Sequence, residues 1–287
     1  MSDRLMLFPH DDKSTVVWDL ENNRKAGVLE GHTSALLLAA MPDCGSWAAT
    51  YSLSAPGSAK IWNLDTMQCT ASLTSAGNNS MCCLKERLLL GSEGPIKVWD
   101  VSVSTPVALL DLQGHGGHVW SICGSETHNV VLSGSKDRSM RLWDVRTGGC
   151  VRTMQGHTYG VKSVDMDSAC RTGVSGSWDK TVKTWDLGTG KCIDTFQHDN
   201  CVTSVGLHES GSTFFSLDAD RCLRFFDTAN AGQRATKAVN LKAVCGVESA
   251  LSDAAISFWN VKVAANRDLS TIATSFVIDD RLKTLMW

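Results

Sequence analysis

His157, Ser175 and Asp179 are the residue types of a hydrolase triad, in which an imidazole takes a proton from a hydroxyl nucleophile while a carboxylate orients the ring. Such a set is defined by geometry and not by chain order, so its spacing is the first test. His157 to Ser175 is 18 residues, Ser175 to Asp179 is 4, and Trp185 follows 6 further on. The intervals 18, 4 and 6 return in His115, Ser133, Asp137 and Trp143, and again in His198, Ser216, Asp220 and Phe226. His32 and Thr50 keep the 18 without a following Asp, and Ser249, Asp253 and Trp259 keep the 4 and 6 without a His. An active site is built once, whereas a structural device is built in every repeat. The trio therefore reads as structure, and no catalytic residue is assigned.

Three other groups of residues could carry chemistry. Gly188-Thr189-Gly190-Lys191 resembles part of a phosphate loop but lacks the longer Gly-x-x-x-x-Gly-Lys-Ser/Thr run. The same turn elsewhere reads Arg146-Thr147-Gly148-Gly149, so it is a strand-to-strand turn. His115-Gly116-Gly117-His118 offers two imidazoles with no thiol or carboxylate to complete a metal set. The 11 cysteines are odd in number and show no Cys-x-x-Cys spacing. Cys69, Cys150 and Cys192 each lie seven residues after a tryptophan, which places them at equivalent strand positions, where small buried thiols in a reducing compartment are expected. Neither a metal nor a cofactor is expected.

The elements that must position these residues are short strands. Seven aromatic residues are followed by Asp or Asn: Trp18, Trp62, Trp99, Trp143, Trp185, Phe226 and Trp259, at spacings of 44, 37, 44, 42, 41 and 33. Each ends a β-prone run, as in Lys180-Thr181-Val182-Lys183-Thr184-Trp185, where successive side chains take opposite faces. Turn residues follow, then another strand. Strand-rich units of about 40 residues read as four-stranded propeller blades.

The segment Gly156-His157 … Ser175-Gly176-Ser177-Trp178-Asp179 … Thr184-Trp185-Asp186 resembles a full WD40 repeat. The resemblance implies an all-β, seven-bladed propeller occupying residues 1–287 as a single domain. It also implies that His115, Ser133, Asp137 and Trp143, and likewise His157, Ser175, Asp179 and Trp185, form hydrogen-bond relays. Their chemistry agrees: an indole N–H only donates, an ionised carboxylate only accepts, and hydroxyl and neutral imidazole do both. Phe226 cannot donate, so its relay is shortened. The third blade, with Gly77 in the His place and Glu93 in the Asp place, is expected to lack one. Only three strands fit ahead of the second blade, near Arg4–Phe8, Ser14–Trp18 and Lys25–Leu29. Residues 281–287 are expected to supply the missing innermost strand, closing the ring and hiding its sheet edges.

In WD40 proteins partners gather on one face, at positions three and five after the repeat histidine and one before the turn Asp. Carried onto this chain, these are His118, Trp120 and Lys136 in the fourth blade, and Gly160, Lys162 and Trp178 in the fifth, with Tyr159 adjacent. Strand matching adds Arg281, Lys283 and Asp11 in the first. The other blades are bland there: Ala35, Leu37 and Leu53; Ser80, Cys82 and Ser92; Cys201, Thr203 and Ala219. Two tryptophans beside lysines suit an interface anchor for an acidic or phosphorylated segment, although packing against each other would also explain them.

The expected function is a non-enzymatic scaffold or docking subunit of a multiprotein complex in the cytoplasm or nucleus. The alternative is a substrate receptor of a cullin-type ubiquitin ligase, suggested by the Trp143-Asp144-Val145-Arg146 box, in which Arg146 alone adds to the repeat pattern. A net charge of −3 with no basic run argues against nucleic acid, and no apolar stretch reaches the length of a membrane span.

Overall fold

The computed structural model describes residues 5–10, 12–52, 58–74, 79–228, 237–240, 274–278 and 281–285. Every regular element among them is a β-strand, and every pairing is antiparallel. The first sheet holds β1 (Leu5–Pro9), β2 (Thr15–Asp19) and β3 (Arg24–Leu29). The second runs β4 (Leu36–Ala40), β5 (Trp47–Ser52), β6 (Ser58–Asn63) and β7 (Gln68–Thr74). The third runs β8 (Ser80–Leu84), β9 (Arg87–Gly91), β10 (Ile96–Asp100) and β11 (Val107–Leu112). The fourth is β12 (Val119–Ser125), β13 (Val130–Ser135), β14 (Ser139–Asp144) and β15 (Cys150–Gln155). The fifth is β16 (Val161–Met166), β17 (Thr172–Ser177), β18 (Thr181–Asp186) and β19 (Lys191–Gln197). The sixth is β20 (Val202–Leu207), β21 (Thr213–Asp218), β22 (Cys222–Asp227) and β23 (Lys237–Asn240). Last come β24 (Thr274–Ile278) and β25 (Arg281–Leu285), paired with each other.

Consecutive sheets meet through their first strands, β4 against β8, β8 against β12, β12 against β16 and β16 against β20. The core lies between them. Cys82, Leu89 and Ile96 of the third sheet share one buried cluster with Val119, Ile122 and Trp143 of the fourth. Leu132 and Met140 of the fourth do the same with Val161, Val164 and Trp185 of the fifth. Sheets stacked face to face in chain order are propeller blades, and the burial of these aliphatic and indole side chains supplies the main favourable term. Close approach is built in: a Cβ on Gly176 would stand 2.5 Å from Val202 Cγ1, which is why Ser-Gly-Ser recurs in the strand that receives the next blade.

β1 touches β4 as β9 touches β12, β13 touches β16 and β17 touches β20, so it holds the second place in its blade. Among the described residues the first sheet thus has one strand fewer than the second to sixth, at the innermost place. That residues 281–287 fill it is a proposal, taken up below. Six of the seven aromatic marks lie on the first six sheets. The seventh, Trp259-Asn260, and the limits of the last blade lie outside the described residues.

One expectation is corrected. Cys69, Cys150 and Cys192 do occupy equivalent positions, opposite Trp62, Trp143 and Trp185 in the outermost strand pair, but all three are exposed. Each thiol bonds a carbonyl two residues on, those of Ala71, Arg152 and Asp194 at 3.3, 3.2 and 3.4 Å. The outermost strand has no further strand to cover it, so the cysteines sit at the rim and not in the core.

Candidate partner-binding face

The relays form as the residue chemistry requires. In the fourth blade Trp143 Nε1–H donates to Ser133 Oγ at 2.8 Å, His115 Nε2 lies 2.7 Å from that hydroxyl, and His115 Nδ1 lies 2.8 Å from Asp137 Oδ2. The fifth blade repeats 2.8, 2.7 and 2.8 Å in Trp185, Ser175, His157 and Asp179. Burial alone would raise the Asp137 carboxyl pKa; the bonds from His115, Ser139 and the Gly116 N–H outweigh it and hold the group well below the usual carboxylate range. Asp179 is held down likewise, against burial, by His157, Thr181 and the Thr158 N–H. Ser133 and Ser175 have no exposed surface, and each hydroxyl is pinned between an indole and an imidazole. A nucleophile must meet its substrate, and these serines cannot.

Two variants depart from this pattern. In the second blade His32 bonds Thr50 at 2.7 Å and, where an Asp would stand, Ser52 at 3.1 Å. In the sixth, spacing suggested Asp220, but Asp220 is exposed and accepts from Asn200. His198 bonds Ser216 at 3.1 Å and meets the Arg224 guanidinium, which pairs with Asp218 at 3.2 Å. Arg224 displaces the expected carboxylate because it reaches the ring from the adjacent strand. Burial, aided by the Arg224 charge, brings the His198 pKa down to about 4; burial and Lys60 do the same for His32.

The residues assigned to the face sit where the relay leaves the strand ends. Val119 and Ser121 pair with Ser135 and Gly134, leaving Trp120 as the extra residue of a β-bulge; Lys162 is the extra residue between Val161 and Ser163. Leu37 and Thr203 hold the same place in the second and sixth blades. A bulge re-aims the side chain at its tip and is common beside functional sites. Lys136 N–H donates to the His118 carbonyl at 2.8 Å, Trp178 N–H to the Gly160 carbonyl at 3.2 Å, and Ala219 N–H to the Cys201 carbonyl at 2.8 Å. The three positions are therefore equivalent between blades.

The two indoles come together. Trp120 and Trp178 have ring centroids 4.7 Å apart at 42°, and the Lys162 ammonium stands 5.3 Å from the Trp120 ring centre. Burial holds the Lys162 pKa below the ordinary lysine value. Gly160 makes the pairing possible, since a Cβ there would lie 2.4 Å from Trp120 Cζ3 and 3.2 Å from the Lys136 Cα. Packing has not hidden the pair: Trp178 is 44% exposed, Tyr159 is 63% exposed, and Lys136 is exposed.

Other assigned residues lie apart. His118 turns toward the third blade, where Asn79 Nδ2 is 3.0 Å from its Nδ1 and Glu93 Oε1 is 3.7 Å from its Nε2. Arg281 and Lys283 lie on β25, opposite Ile278 and Phe276, and their side chains lie outside what is described, as does Asp11. Arg146 is bound to its own turn, with Nη2 3.2 Å from Asp144 Oδ2. Cys201, which lies three residues after His198 and reads as bland in the sequence, donates its thiol to the Trp178 carbonyl at 3.3 Å. No group of three or more His, Cys, Asp or Glu among the described residues could hold a metal ion, and no helix there is long and apolar enough to cross a membrane.

Known proteins give the same reading. The family model "WD domain, G-beta repeat" matches residues 106–144, 148–186 and 190–227. Autophagy-related protein 16 of Arabidopsis thaliana is 28% identical over 157 residues, covering 50% of this chain and 30% of that protein. Nuclear distribution protein PAC1 of Arthroderma otae is 26% identical over 256 residues, covering 77% and 46%. F-box/WD repeat-containing protein 10 of Mus musculus is 40% identical over 65 residues, covering 23% and 6%. This chain spans less than half the length of each of these relatives. With three repeats that match the family model and two full relays that close inside them, this chain carries WD40 repeats over residues 106–227.

Proposed function

We propose that this chain is a non-enzymatic docking module within a larger intracellular assembly, in cytoplasm or nucleus, and that it holds a partner segment on the face of blades four and five. The observation that carries this reading is Trp178. Its ring packs at a tilt against Trp120 and is still 44% exposed. A large aromatic left half in water is costly, and such residues are enriched among interface anchors. Lys136 and Lys162 favour an acidic or phosphorylated segment over a basic one. The ligase-receptor reading has less support, because Arg146 is engaged by Asp144 and the F-box relative is matched over only 6% of its length.

Affinity purification with mass spectrometry tests the proposal, comparing wild type with the Trp120→Ala, Trp178→Ala double variant. Loss of a defined set of partners from a variant that keeps its strand content and cooperative melting is expected. Retention of every partner would refute the assignment of this face. Recovery of a cullin adaptor that is lost with Arg146→Ala would favour the ligase reading instead.

A further inference from the structure

Lys162 is a cation without a counter-charge. Its side chain is half-buried against Trp120, and among the described residues no carboxylate pairs with it. The carboxylates beside Lys136 and Trp178 in sequence are Asp137 and Asp179, and both are saturated. Asp137 accepts from His115, the Gly116 N–H, and the N–H and hydroxyl of Ser139. Asp179 accepts from His157, the Thr158 N–H, and the N–H and hydroxyl of Thr181. A carboxylate offers about four lone-pair sites, so neither relay has capacity left for a lysine. The relays thereby take up the two turn aspartates of blades four and five and leave the Lys162 ammonium without an ion pair among the described residues. An indole face offsets part of the cost of a desolvated cation, and a carboxylate offsets more.

We infer that Lys162 is the anion-receiving group of the face: it takes a carboxylate of an acidic partner segment while an aromatic or aliphatic residue next to that carboxylate stacks on the exposed ring of Trp178. The inference rests on the docking reading above. A carboxylate is favoured over a phosphate because one half-buried ammonium suits a single negative charge, whereas phosphate recognition draws on several donors, typically arginines. In the unoccupied protein the Lys162 ammonium rests on Trp120, so the ligand exchanges a cation–π contact for an ion pair.

The probe is a display library of random 12-residue peptides selected on the whole chain. Selected sequences are then synthesised with Asp or Glu, with Asn or Gln in its place, and with phosphoserine in its place. Binding is measured by fluorescence anisotropy on wild type, Lys162→Met, Trp178→Ala and Tyr159→Ala. The expected result is a motif pairing an acidic residue with an apolar neighbour, weakened about 10- to 100-fold by Lys162→Met. The acid-to-amide change should weaken binding to wild type by a similar factor and leave binding to Lys162→Met nearly unchanged. Peptides that require Trp178 or Tyr159 yet bind Lys162→Met as well as wild type would overturn this inference and leave the docking reading standing. Phosphoserine peptides that bind more than tenfold tighter than their carboxylate forms would overturn the carboxylate assignment. A selection yielding no peptide sensitive to either aromatic substitution would sink both.

Discussion

Each complete relay runs in one direction. The indole can only donate and the carboxylate only accept, so the serine hydroxyl passes its proton toward His Nε2 and the ring donates from Nδ1 to Asp. A triad-like set is thereby spent on holding a blade together, and its buried hydroxyl is closed to chemistry. His32 has no such aspartate, and the Asp218 carboxylate 3.9 Å from His198 Nδ1 is shared with Arg224; burial leaves both histidines with pKa values of about 4, below the ordinary 6.5. The unfolded chain therefore binds protons first as pH falls. The stability these residues contribute is complete above about pH 6.5 and is lost progressively toward pH 4. Asp137 and Asp179, whose pKa values are lowered instead from the carboxylate range, lose their share only in stronger acid. Melting temperature is expected to fall from pH 7 to pH 4.5, with a flatter slope in the His32→Gln, His198→Gln double variant; equal slopes would contradict this origin.

At the scale of the element, the third blade shows what a relay is worth. Leu90 stands in the register place that Thr50, Ser133, Ser175 and Ser216 hold in the second, fourth, fifth and sixth blades, and among the described residues the buried Trp99 Nε1–H has no hydrogen-bond partner. The first strand pair also lacks the bulge, with Ser80 to Leu84 running in continuous register against β9. Trp99→Phe should therefore cost less than about 0.5 kcal/mol, whereas Trp185→Phe removes the N–H that the Ser175 hydroxyl accepts inside the relay and should cost about 1–3 kcal/mol, both read from urea unfolding. Comparable losses would show that the indole N–H carries no such weight. Much of this was legible in the sequence. The 18, 4 and 6 intervals located both full relays, and β-prone runs placed the three opening strands within a residue of those observed. The shared bulge was not legible, since a one-residue register slip leaves no mark in composition. Nor was the exposure of Cys69, Cys150 and Cys192, because periodicity gives a strand's faces and not its place in the sheet. The fate of Asp220 depended on Arg224, a neighbour across strands rather than along the chain.

For the whole molecule, the open matter is closure. Among the described residues the first sheet has three strands where the second to sixth have four, and β25 lies in a two-stranded pairing with β24. If residues 281–287 complete the first blade, removing them costs a strand's packing and bares an edge inside the ring. The melting temperature should then drop by about 10 °C or more in differential scanning calorimetry. A truncated chain that melts with wild type would refute closure by this segment. The inner-strand bulges have a consequence of their own. Leu37, Trp120, Lys162 and Thr203 hang from one backbone shape in four blades, so the kink tolerates an aliphatic, an indole, an amine or a hydroxyl alike. Each tip is a socket whose occupant can be exchanged without disturbing the stacked sheets beneath it. On the docking reading proposed above, a single substitution there would redirect what the protein holds while the scaffold stays the same.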